Sequence, residues 1–178
     1  MESLLINPEI RIEGKKDYDQ ITKVNNLAFN QTNEGILISK LRETNKFIPE
    51  LLLVADLHRK IIGHILFYPL DIISGVKRFE ILSLAPMAVL PEFQYKGIGK
   101  NLVIEGLKKS QALGLKAVVV FGHPEYYPKF GFELASNWNI KTPKEVPDEA
   151  SMTIELVKGF LNDKTGLIEY PAEYFEAF

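Results

Sequence analysis

The chain has 178 residues, 46% of them hydrophobic and 25% charged, with a formal net charge of −2. That length suits one sizeable core rather than two full domains, and the charge lacks the basic excess of a nucleic-acid-binding surface. The absence of cysteine excludes disulfides, thiolate metal sites and a cysteine nucleophile, and fits a cytoplasmic protein. In chain order, the N-terminal MESLLINPEIRIEG has no basic region followed by a long apolar core, so a signal peptide is not expected. No apolar run reaches the roughly 18 residues of a membrane span. Ile10–Gly14 alternates apolar and polar residues and predicts a short half-buried strand. Asp17 stands where it could cap a following helix that carries Ile21, Val24 and Ala28 at helical spacing. A second helix is expected around Leu37, Ile38 and Leu41.

The pattern then changes to strands. Leu51–Leu57 and Lys60–Ile73 are rich in branched residues and are separated by His58-Arg59, which predicts a hairpin. Gly75 marks a further turn, and Arg78–Leu90 reads as a third antiparallel strand. Pro86 inside it has no N–H for a ladder, so the strand should bulge or part from a neighbour there. After a glycine loop, a helix with Leu102, Val103, Gly106 and Leu107 on one face runs to about Gly114. Lys116–Gly122 is nearly all apolar, as in a strand covered on both faces. Strand, loop, helix and strand form a βαβ unit, so these two strands should be parallel. The segments EYYPKFGFEL, SMTIELV and GLIEY complete the sheet. The class is α/β (α+β): one mixed sheet with helices on both faces, in a single domain over 1–178 with its core over about 10–140 and C-terminal strands and tail over 141–178.

The loop PEFQYKGIGKNLV is the segment richest in chemistry. A Walker A motif would need glycine at Gln94 and a hydroxyl at Asn101; a dinucleotide fingerprint would need glycine at Leu102. Both fail. Gly97 and Gly99 still let the backbone approach a ligand closely, and a helix starting near Ile98 presents free N–H groups and a partial positive charge. Lys96 and Lys100 add formal charge. The spacing therefore fits a phosphate or pyrophosphate site. It fits equally a plain strand-to-helix turn with solvated lysines.

Gln94-Tyr95-Lys96-Gly97-Ile98-Gly99 resembles the Q-x-x-G-x-G pyrophosphate loop of the GNAT superfamily of acetyl-CoA-dependent N-acetyltransferases, and a strand ending Met87-Ala88-Val89 precedes it at the family's distance. YYPKFGF (Tyr126–Phe132) resembles the family's Y-x-x-x-G-F segment, and the tail resembles a bacterial subgroup of uncharacterised predicted N-acetyltransferases. The resemblance implies a mostly antiparallel sheet splayed at one parallel strand pair, with the pantetheine arm of acetyl-CoA in the gap. It implies that Met87, Ala88 and Val89 contact the cofactor through their backbone and that the Met87 N–H stabilises the oxyanion. Residues Gln94, Tyr95, Lys96, Gly97, Ile98, Gly99 and Lys100 would cradle the pyrophosphate. Tyr127, with Tyr126 as its rival, would protonate the departing thiolate. No general base is assigned: the family's glutamate position is Ser83, while Glu80 and Glu125 are neighbours in sequence. His123 could orient a substrate or be structural, and His58, His64 and the scattered carboxylates form no metal motif.

The implied activity is acetyl transfer from acetyl-CoA, as acyl-donor cosubstrate and without a metal, to a primary amine of a small molecule or peptide. The alternatives are a non-catalytic acyl-CoA-binding or sensing module, and the same fold with another acyl-CoA or an alcohol acceptor. Neither nucleic acid nor membrane is an expected partner, and homodimer formation is left open. Glu34, Asp148 and Glu149 are carboxylates that could attract a cationic acceptor.

Overall fold

The computed structural model describes residues 6–143 and 145–177. In chain order these form β1 (Glu9–Ile12), α1 (Tyr18–Phe29), α2 (Asn33–Arg42), β2 (Leu52–Leu57), β3 (Lys60–Ser74), β4 (Lys77–Val89), α3 (Ile98–Ala112) and β5 (Ala117–Phe121). There follow β6 (Glu133–Leu134), β7 (Ile140–Lys141), β8 (Ser151–Glu155), β9 (Gly166–Glu169) and α4 (Ala172–Ala177). The sheet has the order β1-β2-β3-β4-β5-β8-β6, with β9 also on β3 and β7 on β9. The chain divides into two compact units. One holds the described residues to Leu66 and Pro86–Gly106; the other holds Phe67–Ala85 and Leu107–Glu176. Strands β3 and β4 and helix α3 each run covalently from one unit into the other.

In the first unit β1 pairs antiparallel with β2 (Ile10↔Ala55), and β2 with β3 (Leu53↔Ile65). The β2–β3 turn is made by His58 and Arg59, both at positive φ (52° and 70°), the geometry whose twist suits a two-residue hairpin. Helix α1 buries Ile21 and Val24, and α2 buries Leu37, Ile38 and Leu41, as the helical spacing requires. Asp17 departs from expectation. It occupies the position before α1, but its carboxylate makes no cap. Instead it accepts two bonds from Arg11 (2.7 and 2.9 Å) and one from the Gly14 N–H (2.7 Å). A bidentate guanidinium is a stronger partner than a helix N–H, and Asp17 is buried where that strength counts. These bonds hold its carboxyl below the usual range, with the Arg11 hydrogen bond the largest cause.

In the second unit β4 and β5 are parallel, pairing Leu82 with Val118 and Ser83 with Val119. Strand β5 continues antiparallel to β8 from Ala117↔Glu155 to Phe121↔Ser151. The residues Leu70, Ile72, Ile81, Ala117, Val119, Ala135 and Ile168 belong to its core. Two elements were not anticipated: β7, two residues parallel to β9, and the six-residue α4. Both are too short for periodicity to show.

Candidate active site

The first part of the candidate site is built where β4 ends. The parallel ladder is two residue pairs long, closing at Ser83↔Val119, and β4 runs on to Val89. Pro86 lies in that continuation, where a missing N–H costs no bond to β5. Ala88 is buried, whereas Met87 and Val89, facing the opposite way along the pleat, are half-buried. Leu90 N–H donates to the Ile62 carbonyl (2.9 Å), and a 3₁₀ turn over Pro91–Phe93 carries the chain out of the sheet. The Gln94 amide then reaches back to the Val89 carbonyl (3.1 Å), tying the loop to the strand end. The glutamine thus has a structural task that its place in the motif did not reveal.

Tyr95 (φ 60°) and Gly97 (φ 83°) turn the backbone in the left-handed region, and α3 starts at Ile98. Asn101 N–H makes a helical bond to the Gly97 carbonyl (3.1 Å), so the N–H groups of Ile98, Gly99 and Lys100 precede the ladder of α3. A Cβ built on Gly97 would meet nothing within 4 Å, so the space over the loop is open. Lys100 is exposed. Lys96 donates to the Glu92 carbonyl (2.8 Å) and, with Lys60, lies over the Phe93 ring (5.4 and 5.0 Å). The loop therefore has what anion binding needs: unpaired N–H groups, a helix dipole, open space and cationic neighbours.

The second part is built where β5 ends. After Phe121 the chain turns at Gly122, whose N–H donates to the Ala150 carbonyl (3.0 Å), and a 3₁₀ turn spans Tyr127–Phe130 before Gly131 (φ 95°). Tyr127 is buried, and its ring edge lies against Gly122: a Cβ there would sit 2.4 Å from Cε2. Edge contacts with Tyr126 (5.1 Å) and Phe132 (5.6 Å) hold the ring on other sides. Burial, and next to it the neighbouring Tyr126, push the Tyr127 phenol above its ordinary pKa. It is therefore protonated throughout the neutral range. Tyr126, half-buried, is pushed up by burial as well. His123 and Glu125 are exposed.

Ser83, at the last rung of the parallel ladder, is buried. Two tyrosines that sequence reasoning did not single out stand beside it. The Tyr174 hydroxyl donates to the Ala85 carbonyl (3.1 Å), and Tyr170 and Tyr174 rest on each other at 5.2 Å. Burial raises both phenols, and the Ser83 hydroxyl partly offsets the rise in each. The i, i+4 spacing of the two rings in YPAEY was the available signal. Glu80 is exposed and Glu34 is buried, so the carboxylates named from sequence differ sharply in environment. No group of three or more His, Asp or Glu that could hold a metal occurs among the described residues, and no described helix is long and apolar enough to cross a membrane.

A short parallel pair followed by a glycine loop and a helix N-terminus, with a buried tyrosine after the next strand, is the order of parts that the family resemblance implied. The chain belongs to the GNAT acetyltransferase family: residues 9–135 match the family model described as "Acetyltransferase (GNAT) domain". The uncharacterised N-acetyltransferase YhbS of Escherichia coli K12 is 32% identical over 169 residues, 95% of this chain and 99% of YhbS. Its counterpart YjhQ is 34% identical over 139 residues, 78% of this chain and 77% of YjhQ. The crystal structure of E. coli YhbS in complex with CoA matches with a TM-score of 0.88 at 30% identity, covering 98% of this chain and 96% of that one. A GNAT acetyltransferase from Brucella melitensis in complex with acetyl-CoA matches with a TM-score of 0.77 at 27% identity, over 95% and 99% of the two chains. The family resemblance, the bacterial subgroup and the fold class expected from sequence are thereby borne out.

Proposed function

We propose that this chain transfers an acetyl group from acetyl-CoA to a primary amine by direct attack, without a covalent enzyme intermediate. In this reading the two units serve one acetyltransferase domain. The observation that carries it is the run of β4 beyond Ser83, which leaves Met87–Val89 past the end of the ladder to β5 and leads straight into the open loop before α3. Support also comes from the CoA and acetyl-CoA bound by the YhbS and Brucella structures. Backbone groups of Met87, Ala88 and Val89 pair with the pantetheine arm, and the Met87 N–H faces the thioester carbonyl. A donor so placed is worth about 2.7–4 kcal/mol of barrier. The pyrophosphate rests on the N–H groups from Tyr95 to Lys100.

The amine nitrogen forms the new C–N bond, the C–S bond breaks, and the thiolate leaves toward Tyr127. At reference values a phenol (about 10) is a weaker acid than a thiol (about 8.5), and burial disfavours either anion. Tyr127 therefore acts first as a strong hydrogen-bond donor to the thiolate; as its proton passes to sulfur, the proton lost by the amine replaces it on the phenol oxygen, so that the free thiol and the amide leave a neutral Tyr127 behind. Ser83, at the position where some members of the family carry glutamate, offers no ionisable base, which is the observation that keeps a non-catalytic acyl-CoA sensor as the second reading. Calorimetric titration with acetyl-CoA, with ATP and NADH as controls, tests the cradle. Release of free CoA in the presence of amines then separates enzyme from sensor. Selective micromolar binding of acetyl-CoA is expected, and binding of no CoA species would overturn the proposal.

A further inference from the structure

The ladder between β4 and β5 stops at Ser83↔Val119, and two residues later the Ala85 carbonyl takes a partner from the far end of the chain. The Tyr174 hydroxyl donates to it at 3.1 Å across 89 positions of sequence. That phenol is held on several sides. The Tyr174 ring, 9% exposed, rests on Tyr68 of β3 (6.3 Å between centroids) and on Tyr170 (5.2 Å). Tyr170 in turn rests on Phe121, the last residue of β5 (5.8 Å). Burial keeps the Tyr174 phenol neutral, so its proton stays in the bond to Ala85. Tyr174 lies outside residues 9–135 that match the family model, so this contact is not one that the family likeness supplies.

Covalent geometry carries this anchor forward to the Met87 N–H. The Ala85 carbonyl and the Pro86 nitrogen belong to one planar peptide, so a bond held on that oxygen restrains the whole plane. The next torsion, φ of Pro86, is locked by the pyrrolidine ring at about −65°. Only ψ of Pro86 then separates the anchored plane from the peptide that bears the Met87 N–H. Any other residue at this place would leave two soft torsions there. We propose that Tyr174 is a positioning residue for the reaction: by holding the Ala85 carbonyl it aims the Met87 N–H at the thioester oxygen, with Pro86 as the stiff link. The inference rests on the reading that this N–H is the oxyanion donor. Such a donor is most effective when it is aimed before the charge develops, so a contact that stiffens the backbone behind it bears on the chemistry.

The test uses the full chain, as wild type, Tyr174→Phe and Pro86→Ala, with acetyl-CoA carrying ¹³C at the thioester carbonyl as the probe. Infrared difference spectra against unlabelled acetyl-CoA isolate the bound carbonyl stretch. In wild type it should lie below that of free acetyl-CoA, because a donor aimed at the oxygen weakens the C=O bond. Tyr174→Phe keeps the ring and removes only the donor to Ala85. There the stretch should move back toward the free value, with acetyl-CoA affinity by calorimetry little changed. Pro86→Ala loosens φ with the Tyr174 bond still made, and should move the stretch the same way. A Tyr174 that serves the fold alone would lower the unfolding temperature on substitution and leave the bound stretch where it was. A wild-type stretch equal to the free value, one unmoved by either substitution, or loss of acetyl-CoA affinity in Tyr174→Phe would overturn the inference while wild-type binding stands. Failure of wild type to bind acetyl-CoA would instead bring down the acetyltransferase reading, and this inference with it.

Discussion

At the scale of single residues, the most constrained side chain of the candidate site is Tyr127. Its position is set by what is missing at Gly122, because any β-carbon there would overlap the ring. Tyr127→Phe keeps the ring and its contacts and removes only the donor. We expect turnover to fall roughly 10²-fold, the usual range for a general acid, with acetyl-CoA affinity unchanged by calorimetry. Full activity would remove the phenol from the mechanism. Gly122→Ala acts on the same hydroxyl by displacing the ring, so turnover should fall with little change in acetyl-CoA affinity. Its effect should largely vanish in a Tyr127→Phe background, since residues acting through one group are not additive. Equal losses in both backgrounds would make Gly122 a folding residue only. Gly122 was legible in the sequence only as the end of a strand, because nothing local announces that a ring five residues on will lie across it.

At the scale of elements, the strand–loop–helix passage from β4 to α3 was largely readable in advance. Two glycines two apart, lysines on either side and the start of a helical face are all local features, and local features survive folding. The roles within the loop were not all readable. Gln94 and Lys96 spend their side chains on the Val89 and Glu92 carbonyls, holding the loop in shape. The backbone N–H groups are left to meet phosphate. Gly97→Glu tests this directly. Its φ of 83° costs a non-glycine residue roughly 1–2 kcal/mol, but no atom lies where the side chain would begin, so the variant should fold. It places negative charge where phosphate should sit, and acetyl-CoA binding should be abolished in a protein with an intact circular dichroism spectrum. Unchanged affinity would reduce the loop to a turn. Asp17 teaches the complementary lesson: its spacing before α1 was that of a cap, and a guanidinium from β1 outbid the helix for it.

At the scale of the whole molecule, stability should carry the signature of a buried imidazole. His64 on β3 is fully enclosed; its Nε2 lies 2.7 Å from the Asn25 amide nitrogen and its Nδ1 is buried with no hydrogen-bond partner among the described residues. Burial, and secondarily the charge of Arg42, lower its pKa from 6.5 to about 3. The unfolded chain therefore takes up a proton between those values that the folded chain refuses, so stability is full above about 6.5 and declines as pH falls. The slope is about 1.4 kcal/mol per pH unit, lost by about pH 3. Asp17, whose pKa is lowered in the fold, contributes in the opposite sense of charge and loses its share only below its ordinary 3.8. Urea denaturation from pH 7.5 to 4.5, alongside the imidazole resonances, checks this. A His64 ring that titrates near 6.5 would refute it.

Hydrophobic spacing, turn residues and two short motifs were enough, from sequence, to give the main elements in order, the parallel pair and the family. Each is a short-range property, and apolar burial follows from periodicity whatever the partner segment is. The fates of the polar groups were decided elsewhere. Glu34 and Glu80 are the same residue type in sequence, yet one is buried with an unmatched oxygen and the other is exposed. Tyr174 looked like tail and closes on Ala85, 89 positions away. A polar side chain's chemistry depends on which distant carbonyl, guanidinium or ring comes to stand beside it, and only the tertiary structure brings those together.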